Sequence, residues 1–203
     1  MKKFKIILIL LICLFLSTCN DKGSNTTNTY NTTSDNTTTT SSSVIIYPYS
    51  TSSKQPYNAD DVVNTCYGTN SSGYTSAPFY STSTHDLKDR LPSSKWSNAV
   101  YSLQGHKISS SWESLWDGTI DMSLHQAEVI ADNDSTGEIE FWTGTKSDGT
   151  FSGNNCRDWS YGNSSSSDNG TWGSLLINDN SSWINNSTKL CNNDSFFLCF
   201  MYN

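Results

Sequence analysis

Basic residues are scarce in this sequence of 203 residues. It has 12 lysines and arginines against 19 aspartates and glutamates, which gives a formal net charge of −7 at pH 7. A chain with this balance lacks the positive surface that attracts nucleic acids, heparin-like polyanions and anionic lipid surfaces. The composition therefore disfavours all three as partners.

Groups that commonly catalyse reactions are also few. The histidines are only His85, His106 and His125, and the sequence contains neither a Gly-x-Ser-x-Gly motif nor a phosphate-binding loop. His125 and Glu128 are three residues apart, so a helix would place them on one face, where they could bind zinc as a pair. The alternative is that they belong to an exposed helix face without a metal. No further zinc ligands accompany them. We expect the protein not to be an enzyme.

No apolar run is long enough to span a membrane as a helix. Residues 6–16 are apolar and follow the basic stretch Met1-Lys2-Lys3-Phe4-Lys5, which is typical of a secretory signal. The run ends in Leu16-Ser17-Thr18-Cys19, which resembles a bacterial lipobox. We predict a signal peptide over residues 1–18 and lipidation of Cys19. The alternative is an ordinary secretory signal with an incidental cysteine.

Export changes the expected charge and the expected state of the cysteines. Loss of the three lysines of the signal leaves the remaining chain with a net charge near −10. The destination is an oxidising compartment, in which cysteines form disulfides. The cysteines concerned are Cys66, Cys156, Cys191 and Cys199. Four cysteines allow three pairings, and at this point all three remain open.

Residues 19–57 are dominated by serine, threonine and asparagine, as in Ser24-Asn-Thr-Thr-Asn-Thr-Tyr30. Such a composition cannot bury enough apolar surface to offset chain entropy. We predict a disordered tether here, with a reach of roughly 35 Å for a flexible coil of about 40 residues. The folded domain is expected over residues 58–203, a length that can bury a substantial core.

Local patterns within the domain predict few helices. The clearest covers residues 110–118, where Ser110 and Glu113 can form a capping box and Gly118 can end the helix. Its buried face would carry Trp112, Leu115 and Trp116. Residues 83–90 predict a capped helical turn. Short strands are predicted at residues 77–82, 139–142, 174–177 and 196–201. The expected class is α+β, with short strands and long loops.

The stretch from Asp132 to Ile139 resembles the first part of a calcium loop. Oxygen-bearing side chains alternate along it and a glycine follows them. The candidate ligands are Asp132, Asp134, Thr136 and Glu138. However, the twelfth position is Thr143 rather than a glutamate, and the residues that follow the turn favour a strand. The alternative is a polar hairpin turn stabilised by its own side chains.

Three tryptophans, Trp159, Trp172 and Trp183, lie among polar loop residues. An aromatic ring in such a place can stack on a sugar or anchor a protein interface, so we take these three as candidate ligand-binding residues. The alternative is that they fill the core beneath long loops.

Five motifs occur in an order that resembles a known family. They are Ser111-Trp112-Glu-Ser-Leu115-Trp-Asp-Gly118, Phe141-Trp142-Thr-Gly144, Asn155-Cys156-Arg-Asp-Trp159, Ser174-Leu175-Leu176 and Cys191-Asn-Asn-Asp-Ser-Phe-Phe-Leu198-Cys199. The pattern is similar to endostatin, the C-terminal domain of collagens fifteen and eighteen. It is more similar to the leptospiral endostatin-like outer-membrane lipoproteins. The resemblance covers roughly residues 60–203.

The resemblance implies a C-type-lectin-like fold of mixed, mainly antiparallel strands with the terminal strands near one another. It also implies the disulfides Cys66–Cys199 and Cys156–Cys191. The histidines of endostatin's zinc site and its clustered arginines for heparin have no counterparts here. The glutamate-proline-asparagine and tryptophan-asparagine-aspartate signatures of sugar-binding lectins are missing as well.

The expected function is that of a spirochaete adhesin. The protein would be a non-enzymatic lipoprotein, lipid-anchored in the outer membrane and exposed at the cell surface. It would bind host extracellular-matrix proteins, plasminogen or complement regulators. Apart from the candidate calcium ion, no cofactor is expected. The alternatives are a calcium-assisted carbohydrate-binding lectin and an inert structural coat lipoprotein.

Overall fold

The computed structural model describes residues 42–49, 66, 73–130, 139–160 and 167–203. The predicted lipidation site, Cys19, lies outside the described residues, as does most of the predicted tether. The candidate calcium ligands Asp132, Asp134, Thr136 and Glu138 lie outside them too.

The described residues form a mixed α+β structure with mostly strands, few short helices and two sheets, which confirms the predicted class. The strands are β1 (Val44–Pro48), β2 (Thr75–Pro78), β3 (Val100–Ser102), β4 (Lys107–Ser109), β5 (Glu140–Trp142), β6 (Asn169–Ser174), β7 (Ser187–Leu190) and β8 (Leu198–Tyr202). Short 3-10 helices cover Lys88–Arg90, Ser93–Lys95, Glu113–Asp117 and Ser181–Trp183.

The larger sheet has five strands in the order β2-β8-β1-β3-β4. Strand β1 lies at its centre, antiparallel to β8 over five residue pairs and parallel to β3 over three. Val44 and Ile46 of β1 are fully buried. The prediction that the tether extends to residue 57 is therefore wrong, because residues 44–48 belong to the folded sheet.

The smaller sheet has three antiparallel strands in the order β5-β6-β7. Gly173 in β6 has no room for a side chain, since an added Cβ would lie 2.3 Å from the Trp183 carbonyl oxygen. The predicted strand at residues 174–177 is wrong, because β6 ends at Ser174 and a turn follows.

Two clusters of buried side chains form the core. The larger one contains apolar residues of both sheets, among them Ile46, Phe141 and Phe200. The smaller one surrounds the disulfides and includes Trp142 and Trp159. Because aromatic rings bury a large area each, they dominate the packing of this loop-rich domain.

Residues 110–118 differ in part from the predicted helix. The helix is a 3-10 segment, Glu113–Asp117, and its first cap position makes no side-chain hydrogen bond, so the capping box is not formed. Instead, the Ser114 hydroxyl donates to the Ser111 carbonyl, and the Ser111 backbone N–H donates to the Ser114 hydroxyl. Gly118 does end the helix, with a φ of 100°.

Two disulfides link Cys66 to Cys199 and Cys156 to Cys191, which confirms the pairing that the resemblance implies. The first joins residues separated by 133 positions and fixes β8, while the second closes the region that contains β6 and β7. In the described part of the chain, no helix has the length and apolarity needed to cross a membrane.

Candidate binding site

Two of the three tryptophans proposed as ligand contacts lie in the core. Trp159 is 1% exposed and Trp183 is fully buried. The Trp159 indole Nε1 donates to the Ser81 carbonyl at 2.9 Å, so its N–H already has a hydrogen-bond partner within the protein. The assignment of these two residues as ligand contacts is wrong, and they fill the core beneath the loops.

Trp172 is only partly buried and lies on one face of the smaller sheet. The strand register pairs it with Trp142 on β5 and with Ser187 on β7. Because side chains alternate along a strand, the same face carries Glu140 and Lys189. The structure thus joins one predicted contact to two charged residues that the sequence analysis did not single out.

Glu140 and Lys189 form an ion pair across this face, and only about one sixth of each side chain is exposed. The Lys189 ammonium lies 4.9 Å from the centre of the Trp142 ring and 5.8 Å from that of Trp172. It also donates to the Asp194 carbonyl at 3.1 Å. A cation over two indole faces is stabilised by their π electrons, which fixes Lys189 and both rings together.

Beside the ion pair lies a groove of about 210 Å³, here called the Trp172 groove. It is lined by Ile139, Glu140, Trp172, Ser174, Leu176, Ile177 and Asn186. Leu176 is 42% exposed and adds apolar surface to the groove wall. An aromatic ring, an exposed leucine and a largely buried charge pair are a combination that suits contact with another protein.

A turn with left-handed backbone flanks this region. Four consecutive residues, Cys156, Arg157, Asp158 and Trp159, have φ values of 54–61°. Non-glycine residues in this conformation each cost on the order of 1–2 kcal/mol. The surrounding structure therefore has to hold the turn in place.

Contacts at both ends of the turn supply that restraint. Cys156 is bonded to Cys191, and the Asp158 carboxylate accepts hydrogen bonds from the backbone N–H and the hydroxyl of Ser83. Partial burial acts to raise the pKa of Asp158. Hydrogen bonds from Ser83 and from the Asn155 side chain outweigh that effect, and they hold the pKa below its ordinary value of 3.8. The carboxylate thus stabilises the fold above the unfolded pKa, near 3.9, and loses its effect as the pH falls through the lower folded value.

The left-handed turn leads to a prediction about Arg157, whose φ is 55°. Its guanidinium pairs with Asp168 at 2.5 Å, and 59% of the side chain is exposed. Both Arg157→Gly and Arg157→Ala remove this exposed pair, but only glycine adopts the backbone conformation without strain. We expect the glycine variant to be more stable than the alanine variant by on the order of 1 kcal/mol. Urea unfolding of both variants measures the difference, and equal stabilities would contradict a left-handed turn here.

The suggested zinc pair is not formed. Residues 124–128 make turns rather than a helix, and Glu128 has a φ of 57°. Its carboxylate lies 3.9 Å from His106 Nε2. Among the described residues, no group of three histidine, cysteine, aspartate or glutamate side chains is arranged to hold a metal ion.

The charged part of the groove could not be found from local sequence. Glu140 and Lys189 are 49 residues apart, and they meet only through the register of β5, β6 and β7. That Glu140, Lys189, Trp142 and Trp172 share one face of the sheet becomes visible only when the three strands are aligned. Compared with known proteins, the sequence matches no protein-family model and no curated protein.

Proposed function

We propose that the protein is a lipid-anchored, adhesin-like surface lipoprotein that binds host proteins and has no enzymatic activity. Its partners would be extracellular-matrix proteins, plasminogen or complement regulators. The chain would be exported with residues 1–18 as signal peptide and anchored to the outer membrane through Cys19. The motif order and the lipobox-like sequence support this assignment.

The proposal includes a C-type-lectin-like fold of the endostatin type. Three features support it. Strands β1 and β8, at the two ends of the domain, pair with one another. The two disulfides have the pairing that the resemblance implies. The strands also form one larger and one smaller sheet, with long connections between them.

The Trp172 groove is the observation that carries the proposed binding role. Protein interfaces concentrate binding energy in a few aromatic and charged residues at their centre. Here Trp172 is held by Lys189, so its ring is already ordered before a partner arrives. An ordered side chain loses less conformational entropy on binding, which raises affinity.

We expect Trp172→Ala to weaken binding of the full chain to its host partner by at least tenfold, the effect of losing an aromatic hot spot. Leu176→Ser should weaken it less. Leu103→Ser is the matched control, because Leu103 is 55% exposed and does not line the groove. Solid-phase binding to laminin, fibronectin, plasminogen and factor H, with disulfides intact, measures these effects.

Three results would count against the proposal. If the protein showed saturable binding to none of the four host proteins, the adhesin role would be ruled out, and an inert coat protein would be the better explanation. Protease treatment of intact cells that left the protein uncut would argue against surface exposure. If Leu103→Ser and Leu176→Ser weakened binding equally, the groove would not be the contact surface.

A further inference from the structure

The two sheets end in four edge strands, β2, β4, β5 and β7, and three of these edges are protected. On β5, the N–H and the carbonyl of Phe196 both form backbone hydrogen bonds with the strand, at 3.1 and 2.8 Å. On β4, the Ile108 carbonyl accepts from the Asp121 N–H at 2.9 Å. Strand β2 ends in Pro78, which has no N–H to offer to another chain. Among the described strands, only β7 lacks such protection.

The backbone of β7 directs hydrogen-bonding groups away from the sheet. In an antiparallel ladder, every second residue bonds to the neighbouring strand. The Cys191 N–H donates to the Asp168 carbonyl at 3.0 Å, which places Lys189 among the residues that bond to β6. The N–H and the carbonyl of Thr188, and the N–H of Leu190, therefore point outwards. In the described part of the chain, no residue bonds to these three groups.

The side chains leave this edge, here called the β7 edge, accessible. Ser187 and Thr188 are exposed, and Leu190 is 44% exposed. Sheets commonly protect such an edge with a proline, a bulge or an outward-pointing lysine. Strand β7 has no proline and no break in its register, and its one lysine pairs with Glu140 on the sheet face. The β7 edge therefore lacks each of these protections.

A row of outward N–H and carbonyl groups is complementary to another extended chain. An added strand would bond to both groups of Thr188 and to the Leu190 N–H. The Leu190 carbonyl already accepts from the N–H and the side chain of Asn193, both at 3.0 Å, so the ladder would end there. From Leu190 the added strand would run along β7 towards Asn186, which lines the Trp172 groove.

Side chains of an added strand would reach that groove on one face of the sheet. Trp172 lies opposite Ser187 across the ladder, so a residue placed opposite Ser187 on the other side projects from the same face. Because serine is small, a long apolar or aromatic side chain at that position would pass over it to Trp172. The alternate side chains would lie beside Thr188 and Leu190 on the opposite face.

Charge favours a basic segment over an acidic one. Lys189 is paired with Glu140, and at the end of β7 the Arg157–Asp168 pair is likewise balanced. The exposed carboxylate of Asp194 has no ion-pair partner among the described residues. The whole chain has a net charge of −7. A second copy of this acidic chain would be repelled, whereas a segment rich in lysine and arginine would be attracted.

We propose that the β7 edge binds an extended, basic segment of a host protein by strand addition, with a large apolar side chain of that segment in the Trp172 groove. This inference rests on the proposed function and specifies how the partner is recognised. The partner contributes the backbone of a segment that is not already paired in a sheet, rather than a folded surface.

The test uses the full chain with its disulfides intact and overlapping peptides of about 15 residues that cover the four host proteins. We expect saturable binding to basic peptides. The peptide that binds most tightly is then methylated at one backbone nitrogen at a time. Methylation at alternate residues should lower the affinity at least about tenfold, and methylation at the residues between them should not, because only every second N–H faces β7.

Hydrogen exchange followed by NMR tests the same geometry without any substitution. In the protein alone, the amide of Lys189 should be protected by the ladder and that of Thr188 should exchange rapidly. The bound peptide should slow exchange at Thr188 at least about tenfold. Rapid exchange at Thr188 in the presence of saturating peptide would overturn strand addition.

A pair of variants at Thr188 separates the backbone from the side chain. Thr188→Pro removes an outward N–H and leaves the bonds to β6, so it should lower the affinity at least about tenfold. Thr188→Ala is the matched control, which keeps the N–H and should bind as the original chain does. Thermal melting shows whether both are folded, and the exchange experiment on the original chain decides if Thr188→Pro is not.

The outcomes distinguish this inference from the proposed function. If a host protein binds through Trp172 but both Thr188 variants bind equally, or methylation shows no two-residue period, strand addition is overturned and the proposed function stands. If peptides bind with that period and no intact host protein binds, the adhesin role is ruled out and strand addition stands. Absence of all binding overturns both. A dimer that Thr188→Pro abolishes would assign the β7 edge to a second copy and overturn the inference.

Discussion

A chain shortened to begin at residue 58 is expected to lose its folded structure, whereas one that begins at residue 42 is expected to keep it. The difference between them includes β1, the central strand of the larger sheet. Its loss removes the fully buried Val44 and Ile46, which contribute about 1.5–3 kcal/mol each. It also separates β8 from β3, which no longer have a common neighbour. The two side chains alone account for about 3–6 kcal/mol, against a whole stability of about 5–15 kcal/mol for a typical domain.

Near-ultraviolet circular dichroism and thermal unfolding measure the effect. The matched comparison is a chain that begins at residue 20, which should melt at the same temperature as one that begins at residue 42. Cooperative unfolding of the chain that begins at residue 58, at an unchanged temperature, would contradict the role of β1.

Replacement of Cys66 and Cys199 by serine is expected to destabilise the domain more than replacement of Cys156 and Cys191. In the chain-entropy model, closing a loop that spans 133 positions contributes about 5 kcal/mol, and closing one that spans 35 contributes about 3–4 kcal/mol. All four cysteines are buried in the same cluster, so serines place hydroxyls among apolar groups in both double variants, and the difference in loop length decides the ranking.

A second effect widens the difference between the two disulfides. The Cys156–Cys191 bond is one of the restraints on the left-handed turn, so its removal relaxes the backbone strain at Cys156 and recovers part of the lost stability, while the Asp158–Ser83 and Trp159–Ser81 contacts hold the rest of the turn. Urea unfolding under non-reducing conditions compares the two double variants. Equal losses, or a larger loss for Cys156 and Cys191, would contradict this ranking.

Some features of the fold were accessible from sequence because their determinants are local. Gly118 ends its helix because a left-handed position favours glycine. Trp112 and Leu115 lie on the buried side of the segment, as their spacing predicts. The disulfide pairing came from the resemblance, since three pairings were equally compatible with the cysteines alone.

Strand β1 differs from the predicted tether because four apolar residues form a strand within a stretch of otherwise polar composition. The run Val44-Ile45-Ile46-Tyr47 has the β-branched and aromatic residues of a strand, which is the signal that could have identified it. It is embedded in serine and threonine, and its partner in β8 is more than 150 residues away. A strand whose neighbours are so distant has no nearby sequence that reveals its pairing.

The left-handed turn and the buried tryptophans had no local signal. Cysteine, arginine and tryptophan disfavour left-handed backbone and only aspartate tolerates it, so the contacts of Asp158 with Ser83 and of Trp159 with Ser81 impose the turn from outside. Trp159 and Trp183 have polar neighbours along the chain but apolar neighbours in space. Sequence context therefore indicated exposure where tertiary packing produced burial.

The position of β1 also determines how the domain responds to mechanical force. The chain enters the described domain at residues 42–43 and passes directly into the strand that is hydrogen-bonded on both sides. A pull along β1 from its amino end loads the ladders with β8 and β3 in shear, so several hydrogen bonds resist together. An edge strand would instead be peeled away from one neighbour. Under the proposed adhesin role, the drag of fluid flow on an attached cell would enter the domain through the best-supported strand of the sheet.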